Sequence, residues 1–228
     1  DRGMYLRLAP TLHYRKEYVV GMKNVGMNGI KNSQWASATI DLTKSVDEIR
    51  SGLDKKWRNS LTKAEKSGLT YVMGTAEEYL KELIEDYKAL LTRKEFPSIT
   101  PEFFIHFQGI LPKDRKMRIF CARSGAKKLG TILIAIYGDT IEYLVGAVPP
   151  EGRAENAGQF LLWNAMVTMK KNGLKRFDLG GMHPDKTPKG ILHFKEGLGG
   201  VPYALLGEFD ASYSLVARAI KLMVQYRL

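Results

Sequence analysis

A glycine-framed segment near the end of the chain carries the first group that could act on a reacting atom. Residues 190–200 begin and end with glycine and contain Lys195 directly after Phe194. A lysine ammonium beside an aromatic ring, in a partly desolvated pocket, can stabilise negative charge that develops during a reaction. The alternative is an ordinary surface lysine, which is the commoner case.

A second segment places an acid and paired glycines after a predicted strand. Asp178 is followed closely by Gly180 and Gly181. Because glycine has no Cβ and tolerates positive φ, such a pair lets the backbone approach a ligand, and ligands of open sheets bind beyond the carboxyl ends of strands. These three residues are therefore substrate-binding candidates, although Asp178 could simply cap the loop. His183 and His193 are candidates for proton transfer, but a lone histidine more often satisfies a local hydrogen bond.

A basic cluster forms the third candidate site, for RNA or phosphate. Its members are Lys55, Lys56, Arg58 and Lys63. A predicted buried stripe containing Trp57 leaves these cations on the exposed faces of a helix. They could equally be a solvated helix end, with cations placed favourably near a helix C-terminus. Both interpretations stay open on the sequence.

Helices and strands alternate between these candidate sites. Ser45 and Glu48 form a capping box that predicts one amphipathic helix over residues 46–64, bent at Gly52. Other predicted helices are residues 11–24, a helix opened by a Thr75–Glu78 capping box and ending near Arg93, one starting at Thr100-Pro101, residues 157–171 and 191–196, and a terminal helix. Predicted strands are residues 5–8, 34–42, 69–73, 117–123, 129–137, 141–147, 175–179 and 201–209.

This order predicts an α/β (α+β) fold. An antiparallel meander passes into a βαβ unit, which gives a mixed, mostly antiparallel central sheet flanked by helices. The arrangement is typical of the acyltransferase fold of the GNAT type, although a fold alone does not name a reaction.

Composition narrows the class of protein and its partners. The 228 residues carry a net charge of +11, which favours RNA, nucleotide phosphates or an anionic membrane surface as partners. A single cysteine, Cys121, and the absence of an apolar leader predict a cytoplasmic protein. No apolar stretch reaches the roughly 20 residues of a membrane span. No zinc-ligand spacing is present in the sequence, so we expect no metal. No phosphate-binding loop of the Gly-Lys-Ser/Thr type and no serine nucleophile elbow is present either, which argues against a nucleophilic hydrolase.

Several segments, taken in order, resemble the Fem family of aminoacyltransferases, which build the interpeptide bridges of peptidoglycan. The matching segments are residues 5–10, 39–42, 55–68, 92–96, 143–147, 178–181 and 190–200. Fem proteins consist of two GNAT-like modules. The resemblance therefore implies that residues 1–42 are the C-terminal remnant of a first module and that residues 43–228 form a complete second module.

The resemblance also implies a reaction. An amine of a muramyl-pentapeptide precursor, nucleotide-linked or lipid-linked, would attack the ester carbonyl of an aminoacyl-tRNA, with no other cofactor. Lys195 would stabilise the oxyanion and Phe194 would shape the site of the tRNA acceptor end. Arg93 and Tyr143 would face the diphosphate or peptide of the precursor. Peripheral contact with a membrane surface is a further expectation.

Two other functions compete with this one. An acetyl-CoA-dependent N-acyltransferase acting on a polysaccharide or metabolite amine would share the fold. Residues 153–158 keep the arginine and the last glycine of a pyrophosphate-binding turn, but Asn156 stands at the first glycine position. A non-catalytic RNA-binding module would use the basic cluster but leave the other two segments without a role.

Overall fold

The computed structural model describes residues 4–92 and 99–225. Its strands are β1 (Tyr5–Leu8), β2 (Asn28–Gly29), β3 (Ala36–Asp41), β4 (Thr70–Gly74), β5 (Arg118–Ser124), β6 (Lys127–Tyr137), β7 (Thr140–Ala147), β8 (Arg176–Asp178), β9 (Val201–Ala204) and β10 (Phe209–Ser212). Its helices are α1 (Lys16–Asn24), α2 (Val46–Ser51), α3 (Lys55–Lys66), α4 (Glu77–Leu91), α5 (Pro101–Ile110), α6 (Pro150–Ala154), α7 (Ala157–Lys171), α8 (Lys189–Glu196) and α9 (Leu215–Gln225).

The chain divides into two compact units. The larger unit comprises residues 38–180 and 188–201, and the smaller unit comprises residues 1–37, 181–187 and 202–228. The predicted division after residue 42 lies close to the boundary between these units at residues 37 and 38. The C-terminal strand and helix, however, group with the N-terminal residues. That this N-terminal segment is the remnant of a first GNAT-like module stays a prediction.

A seven-stranded sheet runs in the order β4-β5-β6-β7-β8-β3-β9. The β4–β5, β5–β6, β6–β7 and β8–β3 pairs are antiparallel, whereas β7 and β8 are parallel. This confirms the predicted fold class, a mixed and mostly antiparallel sheet flanked by helices.

Side-chain alternation along β5 explains why helices flank both faces of that sheet. Ile119 packs into a cluster with Leu83 of α4 and Phe104 of α5. Phe120, the next residue, points to the opposite face, where Tyr71 connects it to Phe160 of α7. The two faces are thus covered by α4–α5 and by α7.

The smaller unit has its own sheet and core. Its strands pair in the order β1-β10-β2, and Met27, Leu206, Phe209 and Ala211 are buried together. The predicted single strand over residues 201–209 is wrong, because β9 and β10 are separate strands with Gly207 at φ +89° between them. The predicted helix over residues 11–24 begins only at Lys16.

The single helix predicted over residues 46–64 is also wrong, because the chain forms α2 and α3. Gly52 ends α2, and the Asp54 carboxylate accepts hydrogen bonds from the backbone N–H groups of Lys56 and Trp57, which starts α3. Asp54 is therefore an N-cap that the apolar spacing concealed. The Ser45–Glu48 capping box is confirmed.

The second capping box is absent. Helix α4 begins at Glu77 with Ala76 at its N-cap position and no side-chain cap. Sequence spacing also missed the short helix α6 and strand β2. Within the described ranges, no helix is long and apolar enough to cross a membrane.

Candidate active site

The candidate active site lies where the parallel ladder between β7 and β8 ends. Glu142 is paired with Asp178 at the last rung, after which β7 continues to Ala147 while β8 stops. A bulge in the β6–β7 pairing precedes Val145 and increases the local twist of β7. The carboxyl end of β8 thus opens into a loop beside a strand that runs on.

Gly180 allows that loop to lie directly against β7. Its φ is +66°, and a Cβ there would lie 2.4 Å from the carbonyl oxygen of Tyr143. Asp178 is buried, and its carboxylate accepts a hydrogen bond from the backbone N–H of Gly180 at 2.8 Å. These observations explain Asp178 and the first glycine of the pair: the loop needs an acid that caps it and, at residue 180, a residue without a side chain.

Lys195 reaches into the space between this loop and β7. The side chain is buried, with 6% of the residue exposed, and its Nζ lies 5.2 Å from the centre of the Tyr143 ring. A Cβ on Gly180 would lie only 3.6 Å from the same Nζ. The fold therefore brings together Lys195, Tyr143, Asp178 and Gly180, four residues that the sequence analysis selected separately.

Burial changes the acid–base properties of this cluster. It lowers the pKa of Lys195 to about 8, while the charges of Asp178 and Glu142 act in the opposite direction. Burial also raises the pKa of Glu142, and the neighbouring Asp178 raises it further. The pocket thus contains an ammonium that gives up its proton more readily than free lysine and a carboxyl that takes one more readily than free glutamate.

Tyr143 adds a phenol on a half-buried side chain. Desolvation raises its pKa, so the side chain stays neutral. Gly146 makes room for it, because a Cβ there would lie 2.0 Å from the Tyr143 hydroxyl oxygen. The role that the resemblance gives Tyr143, facing the precursor, stays a prediction.

Phe194 is fixed by two helices. The Trp57 indole N–H donates to the carbonyl oxygen of Phe194 at 3.1 Å, and the two rings lie 6.1 Å apart. On another side, a Cβ on Gly158, in the first turn of α7, would lie 3.4 Å from the Phe194 ring. The backbone that carries Lys195 is therefore positioned by α3 and α7. That Phe194 shapes the tRNA acceptor-end site stays a prediction.

The corner between α2 and α3 holds the end of α8. Asp54 donates its backbone N–H to the Gly197 carbonyl at 2.9 Å, and a Cβ on Gly197 would lie 2.7 Å from Trp57. A Cβ on Gly199 would lie 2.1 Å from the Gly52 carbonyl oxygen. The glycines around Lys195 thus serve close packing of two chain segments, a role that the sequence analysis did not assign to them.

The basic cluster lies on the exposed side of α3. Lys55, Lys56 and Lys63 are exposed, whereas Arg58 is half-buried and donates to the Ser51 carbonyl. Because α3 starts at Lys55, the first three cations stand at its N-terminal end. Lys55, Lys56 and Arg58 are therefore not placed near a helix C-terminus, and that interpretation is wrong for these three residues. Of the four cations, only Lys63 lies in the last turn.

The remaining candidates fall elsewhere. Arg93 lies outside the described residues. Gly181 belongs to the smaller unit, where the Trp35 ring lies on it. His183 Nδ1 accepts the backbone N–H of Asp185, the local role considered above, and His193 is exposed on α8. In the described part of the chain, no group of histidine, cysteine and acidic residues could hold a metal ion.

Residues 153–158, which resemble a pyrophosphate-binding turn in the sequence, are largely helical. Residues Pro150–Ala154 form α6, and Arg153 donates to the Val148 carbonyl at 2.9 Å. Asn156 adopts the left-handed conformation with φ +56°, as expected for a residue at a glycine position. Arg153 also lines a cavity of about 170 Å³ together with Asp86 and Pro149.

Comparisons with known proteins bear on the family and the fold of the chain. Residues 51–196 match the model of the acetyltransferase (GNAT) domain. Among solved structures, FemX is 15% identical with a TM-score of 0.81, covering 97% of this chain and 74% of its own. The structure of L-PGS from Bacillus licheniformis is 17% identical with a TM-score of 0.59, covering 95% and 71%.

A tandem GNAT protein from the clavulanic acid biosynthesis pathway is 12% identical with a TM-score of 0.51, covering 91% of this chain and 64% of its own. At these identities the structural likeness concerns the fold. The search of curated proteins found no match.

Proposed function

The chain belongs to the GNAT acetyltransferase domain family and is an acyltransferase, and from that premise we propose that it transfers an aminoacyl group from aminoacyl-tRNA to an amine of a peptidoglycan precursor peptide. The observation that carries the proposal is the buried Lys195 between Tyr143 and Gly180. The Fem-like motifs and the fold shared with FemX support the choice of substrates.

In the proposed reaction the free amine attacks the ester carbonyl of the aminoacyl-tRNA. A tetrahedral intermediate forms, and the Lys195 ammonium stabilises its oxyanion. The C–O bond to the ribose then breaks, an amide remains, and the ribose hydroxyl leaves with a proton. Glu142, whose pKa is raised, accepts the proton that the attacking amine loses and passes it to the ribose oxygen as the C–O bond breaks.

A lysine suits the first role because its pKa of about 8 leaves it mostly protonated at pH 7. The same shift makes its N–H groups better donors to developing negative charge than those of free lysine. Asp178 holds the Gly180 loop and contributes the negative charge that keeps Lys195 protonated.

The partners are part of the proposal. Lys55, Lys56, Arg58 and Lys63 would contact tRNA phosphates, and Arg93 would contact the precursor diphosphate. Aminoacyl-tRNA serves as co-substrate without a further cofactor, which places the reaction in the cytoplasm. The acceptor is a muramyl-pentapeptide precursor in nucleotide-linked or lipid-linked form.

A lipid-linked acceptor would bring the protein to a membrane surface. Helix α9 supports such peripheral contact, since Leu215, Val216, Leu222 and Met223 are all more than half exposed at helical spacing. Arg218 is exposed on the same helix and could meet anionic headgroups.

Acetyl-CoA-dependent N-acyl transfer is the second candidate function. The left-handed Asn156 and the cavity lined by Arg153 favour it, because they retain part of a pyrophosphate-binding turn. The two functions share an amine acceptor and differ in the donor.

The test uses the full chain with a charged tRNA pool whose amino acids are labelled, and a muramyl-pentapeptide acceptor. Label should move into the acceptor, and ribonuclease should abolish the transfer. Labelled acetyl-CoA serves as the rival donor in a parallel reaction. Transfer from acetyl-CoA alone would replace the proposal with the second candidate, and transfer from neither would refute both.

A further inference from the structure

The smaller unit contains a cavity of about 270 Å³ that no role described above explains. All its lining residues belong to that unit: Ser33, Gln34, Trp35, Ala36, Gly181, His183, Lys186 and Thr187. The cavity combines one large aromatic surface with cationic and hydrogen-bonding groups.

Trp35 presents that aromatic surface in a fixed position. The residue is 44% exposed, and its ring lies on Gly181, where a Cβ would approach it to 3.3 Å. The Trp35 carbonyl accepts the backbone N–H of Leu205 at 2.7 Å, and the Ala36 carbonyl accepts that of Met182 at 2.7 Å. An exposed indole held by backbone hydrogen bonds on both sides is ready to stack on a planar ligand without losing much conformational freedom.

The polar groups come from one tight turn. The His183 carbonyl accepts the backbone N–H groups of Lys186 and Thr187, at 3.2 and 2.9 Å. Because His183 Nδ1 accepts the Asp185 N–H, the ring N–H lies on Nε2 and can donate to a ligand. The Lys186 ammonium donates to the Asn32 carbonyl and, with three donors, has capacity for an anion as well.

The chemistry of the lining selects the class of ligand. A purely apolar ligand would bury Lys186 and His183 against groups that cannot accept their hydrogen bonds. A simple anion would leave the Trp35 ring uncovered. A nucleotide meets both requirements. Its base can stack on an indole, and its phosphate can accept hydrogen bonds from an ammonium.

We infer that this cavity binds a nucleotide, with the base stacked on Trp35 and the phosphate contacted by Lys186. The identity of that nucleotide rests on the proposed function, because both proposed co-substrates contain one: the acceptor end of the tRNA and the nucleoside diphosphate of the precursor. Binding itself is measured without any transfer reaction.

The experiment is isothermal titration of the full chain with UDP, with the trinucleotide CpCpA and with coenzyme A. At least one of them should bind. Trp35→Ala should weaken that binding about 5- to 150-fold, the range for loss of one stacked base, whereas Trp35→Phe should retain most of it. Tighter binding of UDP, CpCpA or coenzyme A would identify the precursor, the tRNA or an acyl-CoA, respectively, as the source of the nucleotide.

Lys186→Met tests the phosphate contact separately. It should weaken UDP binding without changing the affinity for uridine, and Lys127→Met, at an exposed lysine that begins β6, should change neither. Unchanged binding in both Trp35→Ala and Lys186→Met would overturn the inference, as would no binding of any of the three probes. Nucleotide binding without label transfer would refute the proposed function alone, and transfer with binding unaffected by both variants would refute the inference alone.

Discussion

Lys195 and the lysines of α3 carry the same functional group in opposite surroundings. Lys195 is 6% exposed, with the charges of Asp178 and Glu142 nearby. Lys55 and Lys56 are exposed at the start of α3. Burial lowers the pKa of the first to about 8, because a low-polarity environment disfavours the charged form.

This difference in burial gives the two groups of lysines different expected roles, charge stabilisation at one atom for Lys195 and electrostatic attraction of a substrate for the lysines of α3. A single buried ammonium fixed by its neighbours can stabilise charge at one atom. Exposed cations act together through long-range attraction that salt screens. We therefore expect one substitution at Lys195 to slow the reaction strongly, and several substitutions on α3 to weaken substrate binding in a salt-dependent way.

The largest expected effect is that of Lys195→Met. It should lower the rate of transfer by about 10²- to 10³-fold, the usual loss when one oxyanion-stabilising group is removed. The matched control is Lys189→Met, since Lys189 is exposed on the same helix. Single-turnover rates measure both, and a fully active Lys195→Met protein would remove Lys195 from the mechanism.

Glu142→Gln should have the next largest effect. It keeps the shape of the side chain but removes the group that we propose as proton acceptor, so transfer should slow by about 10²-fold, at the low end for general base catalysis. The exposed residue Glu151 gives the control, Glu151→Gln. Equal rates for the two variants would show that the amine loses its proton by another route.

Gly180→Ala tests how the pocket is built. Gly180 and Gly125 both have positive φ, but a Cβ meets the Tyr143 carbonyl at 2.4 Å only at Gly180, and open space at Gly125. Gly125→Ala should lower the free energy of unfolding by roughly 1–2 kcal/mol, the cost of a side chain in the left-handed region. Gly180→Ala should lower it further, as urea denaturation can measure, and equal losses would contradict the close approach.

Much of this pocket follows from local sequence signals. Gly180 and Asp178 predict a loop after a strand, and Lys195 with Phe194 stands between glycines. Glu142 was missed because only the parallel pairing of β7 with β8 brings it opposite Asp178. That pairing is a long-range contact that periodicity does not encode.

Three other features of the fold were also missed by the sequence-based prediction. Trp57 looked like an ordinary member of a buried stripe, but its indole also bonds the carbonyl of Phe194, 137 residues away. The break between α2 and α3 was missed because apolar residues continue at helical spacing across it, while Asp54 caps a new helix. The grouping of the C-terminal strand with the N-terminal residues likewise depends on pairing between β1 and β10.

Substitutions on α3 should have the smallest effect per residue. Replacing Lys55, Lys56 and Lys63 by methionine should weaken tRNA binding uniformly and flatten its dependence on salt, by about 0.7 to 0.9 in logarithmic slope for each phosphate that is no longer neutralised. The transfer rate at saturating tRNA should stay unchanged. Filter binding across a salt series measures this, and an unchanged slope would make the cluster a solvated surface only.

The pH dependence of single-turnover transfer from aminoacyl-tRNA tests the role of buried Lys195 most directly. The ammonium is the active form, and its pKa is lowered to about 8, so the slope of log rate against pH should fall by one unit as pH rises through 8. Lys195→Met should show no such break. A wild-type profile that keeps the same slope through pH 9, or a break that persists in Lys195→Met, would contradict the account.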